Sequence, residues 1–84
     1  MQGNNNSGID ARTFQQIWMS LGERSPKQLE LRDELIAKLH VSRQTINNWG
    51  RGCNAPVYDE VKKKVADIVS RTLGFRVSFR TLFA

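Results

Sequence analysis

The 84 residues hold one cysteine and one histidine. Cys53 has no partner for a disulfide within the chain. A zinc site from this chain alone is not expected either, because zinc takes several Cys, His or carboxylate donors. A lone thiol fits a reducing compartment, the cytoplasm, and Cys53 reads as an ordinary turn or edge residue. No apolar run approaches the ~18 residues of a membrane span, so no membrane partner is expected. The opening MQGNNNSG has neither a basic run nor an apolar one. It is expected to be a flexible leader over residues 1–8 rather than a signal peptide. Catalytic arrangements are missing as well: no Ser/His/Asp or Cys/His set, no glycine-rich phosphate loop, no carboxylate pair outside ordinary helix surfaces. An enzyme is not expected, and nothing points to a cofactor, a metal or a small-molecule ligand.

Acidic residues are missing in a patterned way. After Asp10, Glu23, Glu30, Asp33 and Glu34 none occurs until Asp59, and Lys38, Arg43 and Arg51 sit in that gap. A second acid-free stretch runs from Ile68 to the end and carries Arg71, Arg76 and Arg80. With a net charge of +5, such stretches suit a polyanionic partner, because interleaved carboxylates would cancel the attraction to phosphate. Charge spread over a solvated surface is the alternative, and charge alone does not decide. A hydrophobic fraction of 39% is enough for one domain with a modest core, expected over residues 9–84.

The apolar residues that are present fall at helical spacing. Phe14, Ile17, Trp18 and Leu21 make one stripe, with Asp10 as the expected N-cap, Ile9 and Phe14 at hydrophobic-staple spacing, and Gly22 as the stop. Trp18 reads as core rather than as a stacking platform. Ser25-Pro26-Lys27-Gln28 carries three start signals: a cap, a proline at the first helical position and a glutamine three after the cap. Leu29, Leu31, Leu35, Ile36 and Leu39 continue that second helix to about Leu39. A third, short helix follows Ser42 as N-cap and covers residues 43–49, with Gly50 and Gly52 as stops. The fourth is expected from about Val57 to Leu73, with Val57, Val61, Val65, Ile68, Val69 and Leu73 as its stripe and Gly74 as C-cap. Lys62, Lys63 and Lys64 fall away from most of it. The tail, residues 75–84, permits a short helix at 79–83 capped by Ser78, or a strand through 77–81 pairing between subunits. The expected fold class is all-α, a bundle of four to five helices with Trp49, Ile46, Leu39, Leu35, Ile17 and Trp18 in one core.

The third helix is where function is legible. Only Ile46 and Trp49 are apolar, so one narrow seam anchors it. Its remaining surface offers Arg43, Gln44, Thr45, Asn47 and Asn48. Arginine can grip guanine through O6 and N7, and Gln or Asn can grip adenine through N6 and N7. The second and third helices are joined by only His40-Val41-Ser42, so they must cross steeply.

This arrangement, from roughly Leu31 to Gly52, resembles the helix-turn-helix of the Cro/repressor family, the lambda-repressor-like DNA-binding domains. The matching positions are Leu35-Ile36, His40-Val41-Ser42, Ile46, Gly52, Pro56, the helix from Val57, and Leu82-Phe83, so the likeness spans about Ser25 to Phe83. Ile36 stands where the family has a small residue, His40 where it has a turn glycine, and Gly50 where an acid is common. The last is expected to weaken the end of the third helix. The resemblance implies sequence-specific binding of double-stranded DNA by a small transcriptional regulator, as a homodimer on DNA. It implies base contacts from Arg43, Gln44 and Asn48, with Thr45 and Asn47 at the margin between bases and backbone. It places Arg32 where the family often has a phosphate-binding Gln, and makes Ser42, Arg51 and Asn54 further phosphate candidates. The alternative is a protein–protein adaptor using the same fold without DNA readout, which would show an exposed apolar patch.

Overall fold

The computed structural model describes residues 9–83; the leader expected over residues 1–8 lies outside them. The architecture is small and all-α. In chain order come β1 (Ile9–Asp10), α1 (Phe14–Ser20), α2 (Pro26–Leu39), α3 (Arg43–Arg51), α4 (Asp59–Leu73), β2 (Arg76–Val77) and α5 (Phe79–Leu82). The two short strands pair in parallel, Ile9 with Arg76 and Asp10 with Val77. No helix among the described residues is long and apolar enough to cross a membrane.

The start of α1 departs from the sequence reading. Its N-cap is Thr13, not Asp10: the Thr13 hydroxyl accepts the Gln16 N–H and the Gln16 side chain accepts the Thr13 N–H, a reciprocal capping box. Asp10 is engaged elsewhere. Its carboxylate accepts the Arg12 N–H at 2.9 Å and the Arg12 guanidinium at 2.7–3.0 Å, and its backbone is extended in β1. With the cap at Thr13, Ile9 and Phe14 no longer stand at staple spacing, and Ile9 is half exposed. Thr13 supplies a cap without giving up the strand pairing, so the later start prevails.

The remaining starts and stops are mostly where the residues place them. Ser25 caps α2 with Pro26 at its first position, and Ser42 caps α3, its hydroxyl accepting the Thr45 N–H. His40 ends α2 in the left-handed conformation, φ 56°, which is the geometry a turn glycine would adopt at lower cost. The three-residue turn therefore forms with a histidine in it. Gly50 does not stop α3. The helix runs through it to Arg51, and Gly52, at φ 75°, is the C-cap, with the Cys53 N–H closing on the Asn48 carbonyl. The end of the helix is thus closed rather than weakened.

α4 starts at Asp59, and Val57 lies before it, 81% exposed rather than in the buried stripe. Asp59 and Glu60 in the first turn complement the helix dipole, while Val57 and Tyr58 follow Pro56 as a bend. Of the two forms its sequence permits, the tail takes the helix: residues 79–82 are α5, not part of a strand through 77–81. Ser78 caps α5, which buries Leu82, while the strand covers only residues 76–77 and pairs within the chain with β1. Ser70 ties this segment to α4, donating to the Ala66 carbonyl and accepting the Val77 N–H.

The core joins all five helices. Phe14 and Ile17 of α1, Leu31 and Leu35 of α2, Ile46 and Trp49 of α3, Val65, Ile68 and Val69 of α4, and Leu82 of α5 are buried together. Each such side chain contributes about 1.5–3 kcal/mol by leaving water. Leu39 and Trp18 pack against this core while remaining partly exposed. The Phe14 ring stacks on Trp18 at 5.6 Å and on Phe83 at 5.5 Å, and Trp49 meets both Phe14 and Phe83 edge-on.

Candidate nucleic-acid interface

α3 is too short to hold its shape alone in water, and three contacts fix it. Ile46 and Trp49 sink into the core. Gly50, itself buried, lies against the Trp18 indole so closely that a methyl group there would overlap the ring. At the far end, Gln15 of α1 donates to the Arg51 carbonyl at 3.0 Å. One face of a nine-residue helix is thereby locked, and its polar face is presented in a single orientation.

Helical spacing then divides the five candidate base-reading residues. Gln44 and Asn48, one turn apart, stand opposite the anchored seam, with Arg51 beside them. The Gln44 side-chain NH2 donates to the Asn48 side-chain oxygen at 3.1 Å. This leaves the Gln44 oxygen as an acceptor and the Asn48 NH2 as a donor, neither with another hydrogen bond among the described residues. An acceptor beside a donor is the complement of the adenine edge in the major groove. Arg43 and Asn47 lie on one flank of this face, Thr45 on the other. The Thr45 hydroxyl is 2.9 Å from that of Ser42, so both are partly used within the helix cap.

The candidate phosphate contacts are not all brought together. Arg32 of α2 lines the same groove as Arg43, Asn47 and Arg51; its guanidinium reaches Asp33 at 3.2 Å. Ser42 is at the exposed start of α3. Asn54 lies apart, in a separate concavity with Phe14, Trp49 and Phe83, and so does not join the Arg32 side. Neither α3 nor the turn before it contains an acid, and Arg51 sits in the last turn, where a cation suits the helix dipole.

Compared with family models, with curated proteins and with solved structures, the chain matches none.

Three residues of the neighbourhood escaped the sequence reading. Arg24 enters the groove from the α1–α2 turn, in the left-handed conformation with φ 58°. Gln28 was legible as a helix-start signal, yet it is buried and serves as a brace. Its oxygen accepts the Arg24 N–H at 3.0 Å and its NH2 donates to the Trp18 carbonyl at 2.9 Å. Trp18 has the stripe spacing of a core residue, and one side of it does pack there; its other side lines the groove. Among the described residues no group of His, Cys, Asp and Glu could hold a metal ion.

Proposed function

We propose that this chain binds double-stranded DNA sequence-specifically, with α3 in the major groove, as a cytoplasmic transcriptional regulator of the Cro/repressor helix-turn-helix type. The observation that carries this reading is the outer face of α3: two linked amides and an arginine, free of acids, on a helix anchored along its opposite side. Gln44 and Asn48 read base edges, Arg43 and Asn47 reach bases or backbone from the flank, and Arg32, Ser42 and Arg51 neutralise phosphate. No catalytic role is assigned to any residue. On DNA the chain acts as a homodimer over two half-sites.

The test is selection of bound duplexes from a random pool, followed by substitution. Gln44→Ala should cost ~1–3 kcal/mol on the selected site and relax the choice at one base pair, an A·T by the chemistry of the amide pair. Lys63→Ala, on α4, should change affinity by no more than ~0.5 kcal/mol. If Gln44→Ala and Asn48→Ala both leave site preference intact, α3 is not the reader. Affinity should also fall with salt, with a log–log slope of about −4 to −5 per bound monomer for four to six neutralised phosphates.

The exposed pair Val57 and Tyr58, 81% and 70% accessible, favours a second reading, the protein–protein adaptor. Under that reading no duplex binds even at ~50 mM salt, and Val57→Ser abolishes partner binding.

A further inference from the structure

Between α1, the α1–α2 turn, the first half of α2 and the flank of α3 opens a groove of about 840 Å³, within the range of small-molecule sites, roughly 300–1,000 Å³. Its two sides differ in chemistry. One is apolar, built from the half-buried Trp18 and from Met19, which is 66% exposed. The other is cationic, with Arg24, Arg32, Arg43 and Arg51 against the single carboxylate of Glu23. Arg32 is paired with Asp33, whereas Arg24, Arg43 and Arg51 form no ion pair among the described residues.

The groove is also built rather than incidental. Gln28, 7% exposed, ties the backbone of the cationic edge at Arg24 to that of the apolar edge at Trp18 through its two hydrogen bonds. Arg24 is held in a left-handed conformation that a residue bearing a Cβ rarely adopts, which sets the direction in which its side chain leaves the backbone. The absent Cβ of Gly50 sets the position of the Trp18 ring.

We propose that this groove binds a small amphipathic anion of the nucleoside monophosphate class, its planar ring against Trp18 and Met19 and its phosphate among Arg24, Arg43 and Arg51. The three unpaired guanidiniums equal in number the three non-ester oxygens of a phosphate monoester, and with Glu23 they leave the groove a net positive charge that its dianion offsets. A duplex backbone would satisfy the arginines but brings nothing flat or apolar to cover Trp18 and Met19. Because Arg43, Asn47 and Arg51 belong to α3, an occupied groove withdraws them from DNA, so the ligand competes with the duplex. That competition rests on the DNA reading; the binding itself does not.

The experiment is a nitrogen-15 NMR titration of the full chain with adenosine 5′-monophosphate, and separately with adenosine and with inorganic phosphate. The monophosphate should move the Trp18 indole N–H and the Gln28 side-chain amide saturably, with each half-molecule binding at least about tenfold more weakly. Arg24→Ala should weaken the monophosphate about tenfold, the loss of one charge-assisted hydrogen bond, with an otherwise unchanged spectrum. Adding the monophosphate to a preformed duplex complex should release the DNA. No movement of these two signals at ~10 mM monophosphate overturns the proposal, as does phosphate alone binding equally well. Movement of both signals by a duplex but not by the monophosphate would make the groove a backbone contact and overturn it too. Saturable monophosphate binding by a chain that takes up no duplex upholds the site and overturns the DNA reading.

Discussion

Gly50 shows how much one missing methyl group can decide. In an exposed helix interior, glycine to alanine gains up to ~1 kcal/mol of helix propensity. Here the added Cβ would run into the Trp18 indole, and overpacking of that kind costs typically ~1–3 kcal/mol. Gly50→Ala should therefore destabilise the fold in chemical denaturation. The same substitution should cost less when Trp18 is also shortened to Leu, since the two effects share one contact. Nothing local in the sequence announces this. A glycine followed by Arg51 and Gly52 reads as a helix stop, and only the arrival of a residue 32 positions earlier gives it another purpose. Gln28 has the same history: its spacing from Ser25 signals a helix start, while its bonds to Arg24 and Trp18 depend on a crossing between helices.

At the scale of elements, Ser25, Pro26 and Ser42 were legible because a cap acts within three residues and its chemistry is local. The strand pair was not. Two-residue strands leave no periodicity to read, and the partners Ile9 and Arg76 are far apart in the chain. That hidden pairing is also why Asp10 misled as a cap. Hydrogen bonds from the Arg12 side chain hold the Asp10 carboxyl below the usual carboxylate range, against a smaller opposing push from burial. A carboxylate with a depressed folded-state pKa contributes stability that is fully present above its unfolded value, near ~3.9, and lost as pH falls through the folded value. Asp10→Asn should thus lower Tm near neutral pH. It should also flatten the loss of Tm as pH falls below about 4, as read by circular dichroism. A parallel acid limb in both proteins would show that the Asp10–Arg12 contact contributes nothing.

For the molecule as a whole, the helix count and most of the core followed from apolar spacing, and the polar outer face of α3 followed from what that spacing left out. The groove beside it did not, because it needs three elements in register and Arg24, which completes its cations, has no motif around it. The tail was legible only as a choice between helix and strand, since Val77, Phe79, Leu82 and Phe83 satisfy both periods. In the fold it closes the core: Leu82 is 1% exposed and Phe83 stacks on Phe14. Leu82→Ala should cost ~2–5 kcal/mol through the cavity it leaves. That is a large share of the roughly 5–15 kcal/mol that holds a small domain together, so deleting residues 77–84 should abolish the thermal transition. A truncated chain that keeps a cooperative transition would mean that the tail is dispensable to the monomer.

The strand pair ties Ile9 and Asp10 to Arg76 and Val77, and the stacking of Phe83 on Phe14 ties the last described residue to the start of α1. The fold is in effect a loop whose ends are clasped. Fraying at residues 9–10 must loosen residues 76–77, so neither end of the described fold peels away on its own, as the ends of an open helical array can. Cutting the clasp releases both at once. Conversely, a short linker joining residue 83 back to residue 9, with new ends opened in the exposed turn at residues 53–57, should yield a permuted chain that folds around the same core.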